Sequence, residues 1–179
     1  MKSKLRVLPL IALALAAVVG CRSRTDRSEG TVLLSVSDFD GLPVLVSVAG
    51  GPYQVDQITL RNVVKDPSGT SSELQDIEMR SYEVRYTRLD SGSRQIPPLV
   101  ESLFGVVTAG STSQFDNLAF LRVSQLANPP LSDLTEFGSD QQTGSQVIPV
   151  RVTLRFFGRT LSGDDVVSDP ASFNIEIVP

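Results

Sequence analysis

Val150-Arg151-Val152-Thr153-Leu154-Arg155-Phe156 sets an apolar side chain at every even position and a polar one at every odd position. Successive side chains of an extended strand point to opposite faces, so this stretch reads as a strand with one face buried and the other in water. Tyr82, Val84 and Tyr86 alternate in the same way with Glu83, Arg85 and Thr87, and Phe173, Ile175 and Ile177 with Asn174 and Glu176. Four more segments carry the pattern less strictly: Val32-Leu33-Leu34-Ser35-Val36, Val44 to Val48, Gln54 to Val64, and Asn117 to Leu126. Turn chemistry lies at Asp40-Gly41, Asp66-Pro67-Ser68-Gly69, Ser91-Gly92 and Ser162-Gly163-Asp164, with glycine where a positive φ is needed. One short helix is expected in Pro130 to Phe137, capped by Asn128 or Ser132 and ended by Gly138, with Leu131 and Leu134 on one face. Seven or more short strands with a single helical pattern predict an all-β fold, an antiparallel β-sandwich.

The closing stretch carries a resemblance. Phe156-Phe157-Gly158-Arg159-Thr160-Leu161-Ser162-Gly163-Asp164-Asp165-Val166, followed by Ala171-Ser172-Phe173-Asn174-Ile175-Glu176-Ile177, resembles the last hairpin of immunoglobulin-like and fibronectin type III-like domains in bacterial exported proteins. There an aromatic-glycine strand end leads through a polar glycine turn into a closing strand. The resemblance implies that the Tyr82 strand is the central neighbour of the Val150 strand in one sheet. The chain departs from true immunoglobulin domains in having no tryptophan and no pair of cysteines.

The amino end says where such a domain would work. Lys2, Lys4 and Arg6 precede an uncharged run from Val7 to Val19, shorter than the ~20 apolar residues of a spanning helix. Val18-Val19-Gly20-Cys21 ends it. This resembles the signal peptide and lipobox of bacterial lipoproteins, which implies removal of residues 1–20 and acylation of Cys21. One acyl chain holds a protein only marginally, but several on one residue form a durable anchor in the bilayer. In lipoproteins of this kind an aspartate after the cysteine favours the inner membrane; Arg22 stands there, so the resemblance implies a cell-envelope protein of the outer membrane. Residues 21–30 hold the lipidated cysteine and a polar tether that reaches roughly 15 to 20 Å. Residues 31–179 are long enough for one domain and short for two.

Charge and composition exclude several functions. With Lys2, Lys4 and Arg6 gone, the mature chain keeps 13 of the 16 basic residues against 20 acidic ones, a formal charge of −7. A binder of phosphate backbones carries the opposite balance, so nucleic acid is not an expected partner. The sequence has no histidine, and its one cysteine is assigned to lipid. Histidine-dependent triads, cysteine proteases and zinc sites of histidine or thiolate are thereby excluded. There is no nucleophile elbow, phosphate loop or dinucleotide fingerprint. Lys65, the one lysine of the mature chain, sits beside a turn and lacks the burial that makes a lysine a base. No cofactor, resident metal or catalytic residue is expected, and the protein is read as not an enzyme.

Three constellations remain. Asp38, Asp40, Asp164, Asp165 and Asp169 would suit calcium if their loops met at one end of the sandwich, against the simpler reading of solvated turn residues. Arg85, Arg151 and Arg155 share one sheet face if the Tyr82 and Val150 strands are neighbours, and would receive an anionic partner; the plainer alternative pairs them with Glu83 and Glu176. Gln95-Ile96-Pro97-Pro98-Leu99-Val100 and Leu103-Phe104-Gly105-Val106-Val107 form an apolar segment whose prolines forbid a central strand. Leu99 and Phe104 there either dock an envelope protein or cover the open end of the sandwich. Val44-Leu45-Val46 is a buried strand or an edge open to strand addition. These features predict a membrane-anchored envelope lipoprotein acting as a noncatalytic interaction or structural module. The alternatives are a glycan- or peptide-binding module built on the long loops and, behind it, a carboxylate-based hydrolase.

Overall fold

Among the described residues, alternation becomes architecture in nine strands. The computed structural model describes residues 30–66 and 68–179. The leader, Cys21, tether residues 21–29 and Pro67 of the Asp66 turn lie outside the described residues. The strands are β1 (Val32–Asp40), β2 (Leu45–Ser47), β3 (Tyr53–Val64), β4 (Ile77–Arg88), β5 (Leu99–Val107), β6 (Thr112–Leu121), β7 (Ile148–Thr160), β8 (Asp165–Val167) and β9 (Ala171–Val178). Two helices, α1 (Val123–Leu126) and α2 (Leu131–Phe137), separate β6 from β7. One sheet has the order β1-β3-β6, and the other β2-β9-β7-β4-β5 with β8 also on β7. All pairings are antiparallel except β2 beside β9, which is parallel. The fold is therefore an all-β sandwich, and the unit that holds it is Thr31–Pro179.

The three strict alternations all form as read. β4 pairs with β7 from Ile77 opposite Thr160 to Arg88 opposite Val150, the adjacency that the fibronectin-like resemblance implied. The closing hairpin forms too, but in two pieces: β8 and then β9 lie along β7, interrupted at 168–170. Even positions of β7 from Ile148 to Phe156 are fully buried, and the Tyr82 ring stacks on Phe156 at 5.9 Å between centroids. A register break at Arg80 reverses the phase of β4, so that Ile77 and Met79 point inward before it and Tyr82, Val84 and Tyr86 after it.

Other readings need correction. Asn117 to Leu126 is not one strand: β6 ends at Leu121, and Val123 begins a helical turn in which the Gln125 side chain accepts from the Arg122 amide. Its ladder is irregular here, with Asn117 at φ 56° and a register shift beside Tyr53. Helix α2 and its Gly138 stop form as expected, the glycine in the left-handed conformation at φ 71°. Neither Asn128 nor Ser132 caps it by side chain; Pro130 holds the cap position, and the Asn128 carbonyl receives the Leu131 and Ser132 amides. Asp40-Gly41 does not join a hairpin, because β1 pairs with β3 and the chain leaves Gly41 for β2 in the other sheet. Gln95 to Val107 is neither loop nor lid over most of its length, since Leu99 onward is β5, an edge strand.

The two ends of the sandwich differ. Links 65–76, 108–111 and 161–164 lie at the end where Val32 meets Val64 and Ile77 meets Val107, the end at which the chain enters. The long segments 89–98 and 122–147 gather at the opposite end with the connections flanking β2, where Arg88 meets Val150 and Tyr53 meets Leu121. There Leu126, Leu131 and Leu134 bury themselves, and α2 packs on the 3-10 turn Val48–Gly50. At the entry end buried Asn62 ties the sheets, its side-chain amide donating to the carbonyls of Gln75 (2.9 Å) and Val107 (3.0 Å).

β6 is an edge of the smaller sheet, and its last carbonyls are turned toward the core. The Tyr82 hydroxyl donates to the Ala119 carbonyl at 2.8 Å and the Tyr86 hydroxyl to that of Phe120. Tyr82→Phe or Tyr86→Phe keeps the ring and leaves a buried carbonyl unpaired. Each should lower stability by about 1–3 kcal/mol in urea unfolding. Burial raises both hydroxyl pKa values, that of Tyr82 to about 12 with Glu101 adding to the rise. Their folded values exceed the ordinary value of about 10. The stability they supply is therefore whole below that pH and is lost as pH rises toward 12. Stability measured across this interval should fall, and less steeply in Tyr82→Phe.

Candidate interaction surface

At the far end, Arg88 ends β4 at an inward-facing position. Its guanidinium donates to both Asp90 carboxylate oxygens at 2.8 and 2.6 Å and to Asp140 Oδ2 at 2.8 Å, and its side chain and that of Asp140 are almost wholly buried. Asp140 Oδ2 also accepts from the Thr143 amide and hydroxyl, whereas its Oδ1 has no partner among the described residues. A Cβ at Gly92 would stand 2.0 Å from the guanidinium carbon, so only glycine lets loop 89–98 close over this group. Gln142 extends the tie by accepting from the Ser93 and Arg94 amides, and Arg94 reaches Asp133 of α2 at 3.2 Å. Two long segments are thus fastened to β4 through one buried cation, and half-exposed Arg94 adds a tie to α2.

Sequence reading missed this network, although half of it was visible. Arg88 continues the even, inward series Tyr82, Val84, Tyr86, and a charge at such a position must find a buried partner. Nothing marked Asp140 as that partner, because it lies in a loop 52 residues away.

The outer face of the larger sheet gathers Arg85, Arg151 and Arg155. Glu83 stands opposite Arg155, Arg85 opposite Thr153, and Thr87 opposite Arg151, so the three arginines share a face as expected, and all are exposed. Arg85 bonds Glu83 at 2.9 Å along its own strand, and Arg151 reaches toward Asn174 at 3.5 Å. Glu176 lies on the same face but forms no ion pair among the described residues. Local pairing thus covers Arg85, while Arg155, exposed, has no ion pair among the described residues.

Beside this face an open groove of about 240 Å³ is lined by Glu83, Arg85, Tyr86, Gln95, Ile96 and Pro98. The prolines make it. β4–β5 pairing stops at Val84 opposite Leu99, and Pro97 and Pro98, which have no amide hydrogen, leave the β4 edge unmatched beyond that point. The groove offers one cation, one carboxylate and an apolar floor, an arrangement that can hold a ligand.

Within β5 the apolar segment divides by parity. Leu99, Leu103 and Val107 are buried, as is Ile96 before the strand, and Val100, Phe104 and Val106 face out, Phe104 with 85 % of its surface exposed. Leu99 is therefore a core residue and Phe104 a surface one, so the two do not form one docking pair or one lid. At Val44-Leu45-Val46 the split is the same: Val46 is buried, Val44 and Leu45 are exposed, and β2 is an edge strand three residues long.

The acidic residues do not converge. Asp38 and Asp40 end β1 at the far end and accept from the Phe39 and Gly41 amides, while Asp164 and Asp165 belong to the β7–β8 turn at the entry end. Among the described residues no three acidic side chains come together as a metal site. Hydrogen bonds from Ser68 lower the Asp66 pKa, and those from Arg88 lower that of Asp90. Burial works to raise the Asp140 carboxyl, but bonds from Arg88 and Thr143 prevail and hold it at about 2.

Arg88→Met should lower stability by about 3–5 kcal/mol by stranding buried carboxylates. Because Asp140 and Asp90 titrate below the ordinary carboxylate value near 4, their contribution is complete above that pH and is lost as pH falls toward 2. Acid unfolding curves should show this loss and show less of it in Asp140→Asn, whose stability at neutral pH is already reduced. In a second experiment, Leu99→Ala should cost about 2–5 kcal/mol, whereas Phe104→Ser should stay within about 0.5 kcal/mol; equal losses would place both side chains in the core.

No protein-family model matches this chain, and no curated protein matches it. The solution structure of AT1g01470 from Arabidopsis thaliana is similar at 15% identity, over 82% of this chain and 80% of that one, with a TM-score of 0.34. At that TM-score the likeness carries no inference about this chain.

Proposed function

We propose that the protein is a bacterial envelope lipoprotein, anchored in a bilayer through acylated Cys21, preferentially at the outer membrane, and that its sandwich is a noncatalytic interaction or structural module. The observation that carries this reading is the run Lys2 to Cys21: a basic start, an apolar stretch too short to span, and Gly20 before the sequence's one cysteine. The next residues support it. Residues 22–30 are polar and contain no apolar side chain that a core would use, and the folded unit begins directly after them at Thr31. Its long segments sit opposite the point of entry, so a body held by its amino end offers them to other envelope components. Shared by Arg155 and the exposed apolar side chains of β5, the outer sheet face suits a protein partner in composition, since aromatic and arginine side chains are enriched at such contacts.

A second reading, a binding module for a short peptide or glycan, is favoured by the groove between Arg85 and Pro98. Its floor has Tyr86 as its one aromatic residue, and that ring is buried, which suits a peptide better than a sugar.

The anchor is tested by expressing the full chain and its Cys21→Ser variant in a bacterium with labelled fatty acid. The wild type should carry label and sediment with membranes; the variant should lose the label and, once exported, appear in the soluble fraction. An intact start methionine or an unmodified cysteine in the mature protein rejects the reading. Proteins cross-linked to the anchored form support assembly, whereas a small molecule that protects Arg85 and Gln95 from exchange supports the groove.

A further inference from the structure

Among the described residues, five strands have an open edge, β1 and β6 in the smaller sheet and β2, β8 and β5 in the larger; β8 is only three residues long, and β1, β2 and β6 are blunted in other ways. β1 breaks register between Val36 and Asp38 and ends in exposed Asp38 and Asp40. β2 is three residues long and follows Pro43. β6 has the carbonyls of Ala119 and Phe120 occupied by tyrosine hydroxyls. Such devices keep sheet edges from pairing with other chains. β5 carries such devices only toward its end, a register shift after Ser102 and side-chain bonds to the carbonyls of Val106 and Val107, and its stretch before them carries none. The strand is nine residues long, and among the described residues nothing pairs with its second side. Its register against β4 shifts between Ser102 and Gly105, yet Leu99, Leu103 and Val107 stay inward and Val100, Phe104 and Val106 outward across that shift. Its one charge, Glu101, is taken by Arg122 at 3.0 Å.

We propose that β5 pairs antiparallel with β5 of a second copy, making one continuous sheet across a two-fold axis at Ser102. One observation limits the register. The carbonyls of Val106 and Val107 are already bonded by Ser113 and Asn62, which confines new pairing to the stretch before them. Centring on Ser102 then sets Val100 against Phe104 of the other copy, twice, on the outer face, where both side chains are largely exposed in the single chain. The same register sets Glu101 against Leu103, so no charge meets a like charge. This matters because the sequence carries excess acid, so two copies approach with like net charge. The neutral β5 edge is where approach is least opposed. Short β2 at the far side of the same sheet ends the assembly at two, as an isologous contact requires. The pairing does not depend on acylation of Cys21.

The experiment uses the mature chain with Cys21→Ser, which then contains no cysteine. Sedimentation should report a dimer. Adding Ser102→Cys should give a disulfide-linked dimer on mild oxidation, because residues directly opposite each other across antiparallel strands lie within disulfide reach. Val100→Cys alone should not cross-link, but mixed with Phe104→Cys it should form the heterodimer. Phe104→Lys should weaken the dimer at least about tenfold while leaving the circular dichroism, and the melting temperature measured at concentrations where both proteins are monomeric, unchanged. A protein that stays monomeric to millimolar concentration overturns the proposal. So does a dimer that survives Phe104→Lys while Ser102→Cys fails to cross-link, which would place the contact on another surface.

Discussion

The sandwich depends on how β6 is held. An edge strand facing a core has backbone carbonyls that can reach neither water nor a neighbouring strand, and each one left bare costs more than an ordinary hydrogen bond returns. Tyr82 and Tyr86 solve this from the opposite sheet, where β4 carries both rings inward and their hydroxyls end at Ala119 and Phe120. The same region supplies core volume: Tyr82 stacks on Phe156, and Phe120 meets Phe173 edge-on at 5.6 Å. The bonds therefore fix the separation and relative register of the sheets as well as satisfying β6. They also require the phase reversal at Arg80, since without it the residues after the break would point their rings into water.

β4 performs a second service at its other end. Past Tyr86 the inward series delivers Arg88 to the far end, where a buried cation would be intolerable alone. Asp90 from the next loop and Asp140 from the segment before β7 neutralise it, and the loops are folded around that need. A buried ion pair is weak support for net stability, because desolvation takes back much of the attraction. Its effect here is specificity of position. Residues 89–98 and 138–147 contain few apolar side chains to pin them, and the Arg88 hub with Gln142 and Gly92 gives them one arrangement instead of many.

How much of this was legible follows from which forces are local. β4, β7 and β9 could be read because their burial repeats every second residue, and the shared face of Arg85, Arg151 and Arg155 followed by parity once β4 and β7 were neighbours. Gly138 could be read because a helix stop needs a left-handed residue in one place. β5 is hidden by Pro97 and Pro98, which give the whole segment an irregular look when they only delay the start of a strand. Leu99 and Phe104 look like one apolar feature, although their opposite parity puts one inside and one outside. Asn117 to Leu126 reads as one apolar run, but the bonding of Gln125 back to the Arg122 amide, which turns the chain into a helix, is a capping detail inside that run. Asp140 carried no signal, because its role arises from a partner distant in sequence.

The asymmetry between the two ends gives the architecture its functional sense. At the entry end most links are short, and Asn62 and the Asp66 turn direct their polar atoms to neighbouring residues. The far end uses more than twice as much chain for the same task of joining strands, and uses charge to hold it still. Excess chain at one end costs conformational entropy on folding. Held in one arrangement, these segments have lost most of that freedom before any partner arrives, so a contact there loses little more on forming. The Arg88 hub keeps the surface that these segments form constant. What fixes that surface is a buried ion group rather than apolar packing, so its shape depends on Arg88, Asp90 and Asp140 staying charged together.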